Sequence, residues 1–152
     1  MQVEFEVLND IIAHISEVAE NLSQMVGDLE QRAKAHDRSK FEPLEFDAFV
    51  QTRPKFRVAN YGTPEYQECV DAIKPAIDHH YQVNCHHTGF YSGGFADMNL
   101  LDIIEMLADW RAASRRSPDL TFKDSLPRAY KKYGIPDNMQ RHIEQTLDYL
   151  GW

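Results

Sequence analysis

Cysteine is nearly absent from this chain: Cys69 and Cys85 are the only two in 152 residues. Two thiols build no disulfide framework, and these lack zinc-finger spacing. Free thiols in a reducing compartment are the expectation. Long apolar runs are also missing, since no stretch approaches the 18 or so residues that a membrane-spanning helix needs. The opening residues, Met1-Gln2-Val3-Glu4-Phe5-Glu6, lack the basic region and apolar centre of a secretory signal. Basic residues are outnumbered 16 to 24, for a net charge of −8. That deficit argues against an extended surface for nucleic acid or anionic membrane, both of which need clustered Lys and Arg. A small anionic substrate survives the argument, because one cation inverts the local field of a cleft. No glycine spacing matches a P-loop or a dinucleotide fingerprint, and no strand pattern, internal repeat or linker emerges. The expectation is a soluble, cytoplasmic protein with a single domain over residues 1–152, long enough to bury a core.

Helical periodicity fills the space those absences leave. From Val3 to Met25 the apolar residues recur at threes and fours, through Leu8, Ile11, Ile12, Ile15, Val18 and Leu22. Gly27-Asp28 interrupts the pattern, and Leu29 to Ala35 reads as a separate, shorter helix capped by Asp28. A helix starts near Glu42-Pro43, and Pro54 to Pro64 reads as a loop dense in turn formers. Thr63 suits an N-cap with Pro64 at the first helical position. That helix runs toward residue 80, with Pro75 a point of kinking or restart. Gly89 to Asp97 is the most glycine-rich stretch. It reads either as a mobile lip whose Phe90, Tyr91 and Phe95 cover a substrate, or as a plain connector. Met98 to Arg115 is apolar on nearly all sides and is expected to be central and buried. Leu126–Tyr133 and Asn138–Leu150 complete an all-α fold.

Four of the seven histidines fall within nine residues, in His79-His80-Tyr81-Gln82-Val83-Asn84-Cys85-His86-His87. Histidine is a common metal ligand. If this segment stayed helical, His80 and His87 would share a face but stand roughly 10 Å apart along the axis. That spacing would border a two-metal cleft rather than surround one ion. The same segment equally suits a polar helix end. A second feature is His36-Asp37, an imidazole and a carboxylate on adjacent residues. His14 on the preceding helix and Asp109 on the late one would add one of each. Mixed nitrogen and oxygen donors suit Mn²⁺, Fe²⁺, Co²⁺, Ni²⁺ or Zn²⁺ better than Ca²⁺. On one straight helix His14 and His36 would lie about 33 Å apart, so this grouping requires a bend near Gly27.

The order His14, His36-Asp37, Asp109 resembles the H…HD…D signature of the HD-domain metal-dependent phosphohydrolases, and Lys40 matches a lysine common in that motif. Three longer matches, Arg-Ala-x-x-His-Asp-x-Ser-Lys, Asn-x-His-His and Met-x-Leu-x-Asp-x-x-Glu-Met-x-x-Asp-Trp-x-Ala, are similar to an uncharacterised HD-like family of phages and bacteria. They cover roughly His14 to Arg116. In that family the second histidine pair is usually followed by Pro-Glu-His, where this chain has Thr88-Gly89-Phe90. The resemblance implies an HD-domain-like helical bundle with water activated on one or two divalent metals. His14, His36, Asp37 and Asp109 would be ligands, and His80, His86 and His87 would serve a second ion. Lys40, Arg115 and Arg116 would offset phosphate charge, Asn84 would contact substrate, and His79 or Glu105 would relay a proton. The substrate implied is a nucleotide or another small phosphoester, met in the host cytoplasm if the gene is carried by a phage. A di-iron oxygenase using the same ligand types and a catalytically inactive nucleotide-binding module are the competing readings. A homo-oligomer is compatible with the sequence.

Overall fold

The computed structural model describes residues 2–60, 62–115 and 121–152. Among them there are six α-helices, short 3-10 turns and no strand, so the all-α expectation holds. No helix of the described residues is long and apolar enough to cross a membrane. The chain divides into two units, Met1–His36 and Asp37–Trp152.

The first unit is one helix, α1 (Gln2–Ala35), with no buried residue. The break expected at Gly27-Asp28 is absent. A glycine inside a helix costs only about 1 kcal/mol, too little to end a helix of 34 residues. The Asp28 carboxylate also accepts from Arg32 Nε at 2.6 Å one turn on, which supports the helix across that point.

The second unit opens on a left-handed residue. Asp37 holds φ 57° and ψ 21°, the only positive φ outside glycine among the described residues, and aspartate tolerates this left-handed region better than most side chains. A 3-10 turn over Arg38–Phe41 follows, then α2 (Pro43–Phe56) and α3 (Pro64–Val83). Pro54 lies in the last turn of α2 rather than in a loop. Thr63 caps α3 as expected, its Oγ1 accepting from the Tyr66 N–H at 3.3 Å, with Pro64 at the first position. The helix continues through Pro75 without a break. The buried faces of α2 and α3 carry Glu45 and Thr52, and Cys69, Ala76 and His80. Thr52, Cys69 and Ala76 are small, so the two helices that meet there approach closely.

The apolar core lies further along the chain. α4 (Leu100–Ser114), α5 (Phe122–Tyr133) and α6 (Asp137–Tyr149) supply Ile103, Met106, Leu107, Phe122, Leu126, Tyr130, Ile143 and Leu147. α4 is not buried on all sides: Leu100 and Ile104 are exposed, and one face alone enters the core. Asn99 caps it reciprocally with Asp102, whose Oδ2 accepts from the Asn99 N–H at 2.9 Å and from the Tyr91 hydroxyl at 2.6 Å. Thr121 and Asp124 form the same device at α5. The glycine-rich stretch is anchored by this core and is no lip. Phe95 is buried in it, Tyr91 packs beside it, and Phe90 alone of the three aromatics is exposed.

Candidate metal centre

Helix α3 ends at Val83, and that ending makes the site. Asn84 caps it in an extended conformation (φ −115°, ψ 113°). The His87 N–H then donates to the Asn84 carbonyl at 3.0 Å, closing a turn. His86 and His87 therefore fold back against His80 instead of standing two helical turns beyond it. His87 Nε2 lies 2.9 Å from His80 Nε2. The separation of roughly 10 Å expected for a continuous helix is corrected by this reversal.

Asp37 Oδ1 completes the group, 3.2 Å from His80 Nε2 and 3.4 Å from His86 Nε2. One donor atom from each of Asp37, His80, His86 and His87 falls within 4.8 Å of all the others. Ligands 2.0–2.2 Å from an ion, at tetrahedral or octahedral angles, stand about 3.0–3.6 Å apart. The measured spacings fall in or beside that range. The outer ring nitrogens explain why these atoms face inward. Glu45, fully buried, accepts from His79 Nδ1 at 2.8 Å through Oε1 and from His80 Nδ1 at 3.0 Å through Oε2. Glu105 Oε1 lies 3.2 Å from His86 Nδ1. With Nδ1–H directed at a carboxylate, His80 and His86 turn the lone pair of Nε2 toward the centre, the carboxylate–histidine arrangement that orients metal ligands. Ser39 Oγ also approaches His80 Nδ1, at 3.1 Å, but the carboxylate of Glu45 is the stronger acceptor for that N–H. Burial, with His86 and His80 alongside, pushes the His87 imidazole down to about 3, leaving its lone pair available to a cation. The donor set could thus hold a metal ion.

Asp109 offers a carboxylate oxygen within 4.8 Å of one from Asp37. Lys40 Nζ is bonded to Asp37 Oδ2, so it neutralises the outer oxygen of a ligand. His79 is bonded to Glu45 through Nδ1, and Glu105 lies against the His86 ring. The Asn84 amide donates to Ser39 Oγ and to the His80 carbonyl, both at 2.8 Å, so it braces the loop instead of facing substrate. Arg115 is the exposed C-cap of α4, and Arg116 lies outside the described residues. His36 ends the first unit and is joined to Asp37 by one peptide bond. His14 is a correction. It is exposed on an unbroken helix, 22 residues before His36, hence about 33 Å away along the axis, and the two cannot share an ion.

Glu45 and Ser39 escaped the sequence reading. Glu45 sits in the first turn of α2, where an acidic residue is explained by the helix dipole alone. Thr52, seven residues on, is buried on the same face, which only the packing of α2 reveals.

Fold and site together define an all-helical protein with a buried His/Asp/Glu cluster able to hold a metal ion. The chain belongs to the Family of unknown function (DUF5662), whose model matches residues 3–149. No curated protein and no solved structure matches it.

Proposed function

We propose that the protein is a divalent-metal-dependent phosphohydrolase acting on a nucleotide or another small phosphoester. The supporting observation is the convergence of Asp37 Oδ1 with the Nε2 atoms of His80, His86 and His87, two of those rings being held from behind by Glu45 and Glu105. Asp109 brings a further carboxylate oxygen beside that of Asp37. When bound, the ion supplies a Lewis acid and lowers the pKa of a coordinated water. Asp37, the three imidazoles and Asp109 bind and orient. Lys40, about a third exposed and bonded to Asp37 Oδ2, presents a cation where a phosphate would lodge. The resemblance to HD-domain phosphohydrolases through His36-Asp37 and Asp109 supports the same reaction class.

The test is elemental analysis of protein purified without chelator, combined with turnover of nucleotides and cyclic dinucleotides in Mn²⁺, Co²⁺, Ni²⁺ and Mg²⁺. One or two transition-metal ions per chain and metal-dependent phosphate release, both lost in Asp37→Ala, are the expected result. Nucleotide binding without turnover under any of these ions would overturn the reading in favour of a binding module. Two irons with an oxygen-sensitive absorption band would overturn it in favour of an oxygenase.

A further inference from the structure

Helix α1 carries a feature that the metal centre does not use. From Val3 to Val26 its large apolar side chains are open to solvent, with exposures from 42% at Val18 to 70% at Val3. Their spacing is stricter than an ordinary amphipathic helix requires. Leu8, Ile15 and Leu22 repeat at intervals of seven, and Ile11, Val18 and Met25 repeat three residues after each. Ile12 and Val26 widen the stripe on one side. A straight helix drifts about 20° for every seven residues, so an apolar face for a globular core has no need of a fixed seven-residue repeat. A supercoiled pair of helices does need one, because only that repeat keeps the seam in register.

We infer that α1 is an oligomerisation helix whose partner is α1 of a second copy of this chain. Charge placement favours this occupant. Between Leu8 and Leu29 the charged side chains are Asp10, Glu17, Glu20 and Asp28, with no Lys or Arg. Asp10, Glu17 and Glu20 lie on the face away from the stripe, so two copies bring no row of like charges together across the seam. An anionic lipid surface is the wrong chemistry, since helices that lie on membranes flank their apolar face with Lys and Arg. The area is also sufficient. The eight side chains of the stripe, each about half exposed and with roughly 80 Å² still to bury, give about 640 Å² per copy, within the range of about 600–1,000 Å² that a standard-sized interface takes from each partner. Identical stripes meeting about a two-fold axis satisfy each other without leaving an open end.

The experiment is sedimentation equilibrium of the full chain from 1 to 100 µM. The expected mass is at least twice the 17.6 kDa of the chain. Ile15→Glu with Leu22→Glu should raise the dissociation constant at least tenfold, while Glu20→Lys on the far face should leave it within about twofold. A wild-type protein that stays monomeric at 100 µM would overturn the inference, and this arm does not depend on any variant folding. So would a doubly substituted protein that keeps its far-ultraviolet helical signal and the wild-type mass.

Discussion

Replacing Glu45 with Gln probes the logic of the metal centre most directly, because Glu45 never touches the proposed ion. Its carboxylate is fully buried between His79 and His80, accepting from both Nδ1 atoms at 2.8 and 3.0 Å. An amide keeps the shape but offers one acceptor and one donor. If the amide nitrogen faces His80, that ring must accept at Nδ1, its proton moves to Nε2, and the lone pair aimed at the centre is lost. If the nitrogen faces His79 instead, His80 keeps its tautomer but loses a charged partner. The expected fall in Mn²⁺ or Zn²⁺ affinity is about 10-fold in the second case and about 100-fold in the first, or about 1.4–2.7 kcal/mol. Competition titration against a chelating indicator reads it, and thermal melts supply an independent measure. At a metal concentration 100 times the wild-type dissociation constant, binding stabilises the native protein by about 2.7 kcal/mol. The variant should retain only about 0.4–1.4 kcal/mol of that gain under the same conditions. Metal affinity within twofold of wild type would refute the claim that Glu45 orients His80 for a cation.

Asp37→Asn should abolish detectable metal binding at micromolar ion while shifting the metal-free denaturation midpoint little, because Asn also tolerates the left-handed backbone at this position; calorimetric titration beside a urea melt reads both. His87, held down to about 3 against an ordinary 6.5, takes up a proton in the unfolded chain before the folded one. Its contribution is complete above pH 6.5 and is lost as pH falls from there toward 3, at no more than about 1.4 kcal/mol per pH unit. Metal-free protein should therefore lose urea stability between pH 6.5 and 4.5, and His87→Gln should show a shallower slope. Tyr91→Phe removes a hydroxyl that donates to fully buried Asp102 at 2.6 Å. A loss of about 1.5–3 kcal/mol at unchanged m is expected from denaturant unfolding, and a change under 0.5 kcal/mol would show that the stretch is not anchored there.

Local chemistry told most of what it could in this chain. The 3.6-residue spacing of apolar side chains and the Thr63-Pro64 start depend on neighbours within a turn or two, and they appear in the structure as read. The all-helical class follows from the same short-range signals. Punctuation by single residues was less reliable: Gly27, Pro54 and Pro75 each suggested a break, yet all three lie inside helices. One weak residue costs less than the hydrogen bonds a long helix would forfeit by ending. Metal-ligand chemistry was legible at Asp37, His80, His86 and His87 as residue types, but their meeting was not. Glu45 reaches His79 and His80 across 34 and 35 residues, and Glu105 on α4 reaches His86 on the loop after α3. Those pairings arise because α2 and α3 pack through small residues and the chain reverses at Asn84. Such contacts are made by packing, whose partners sequence spacing does not specify.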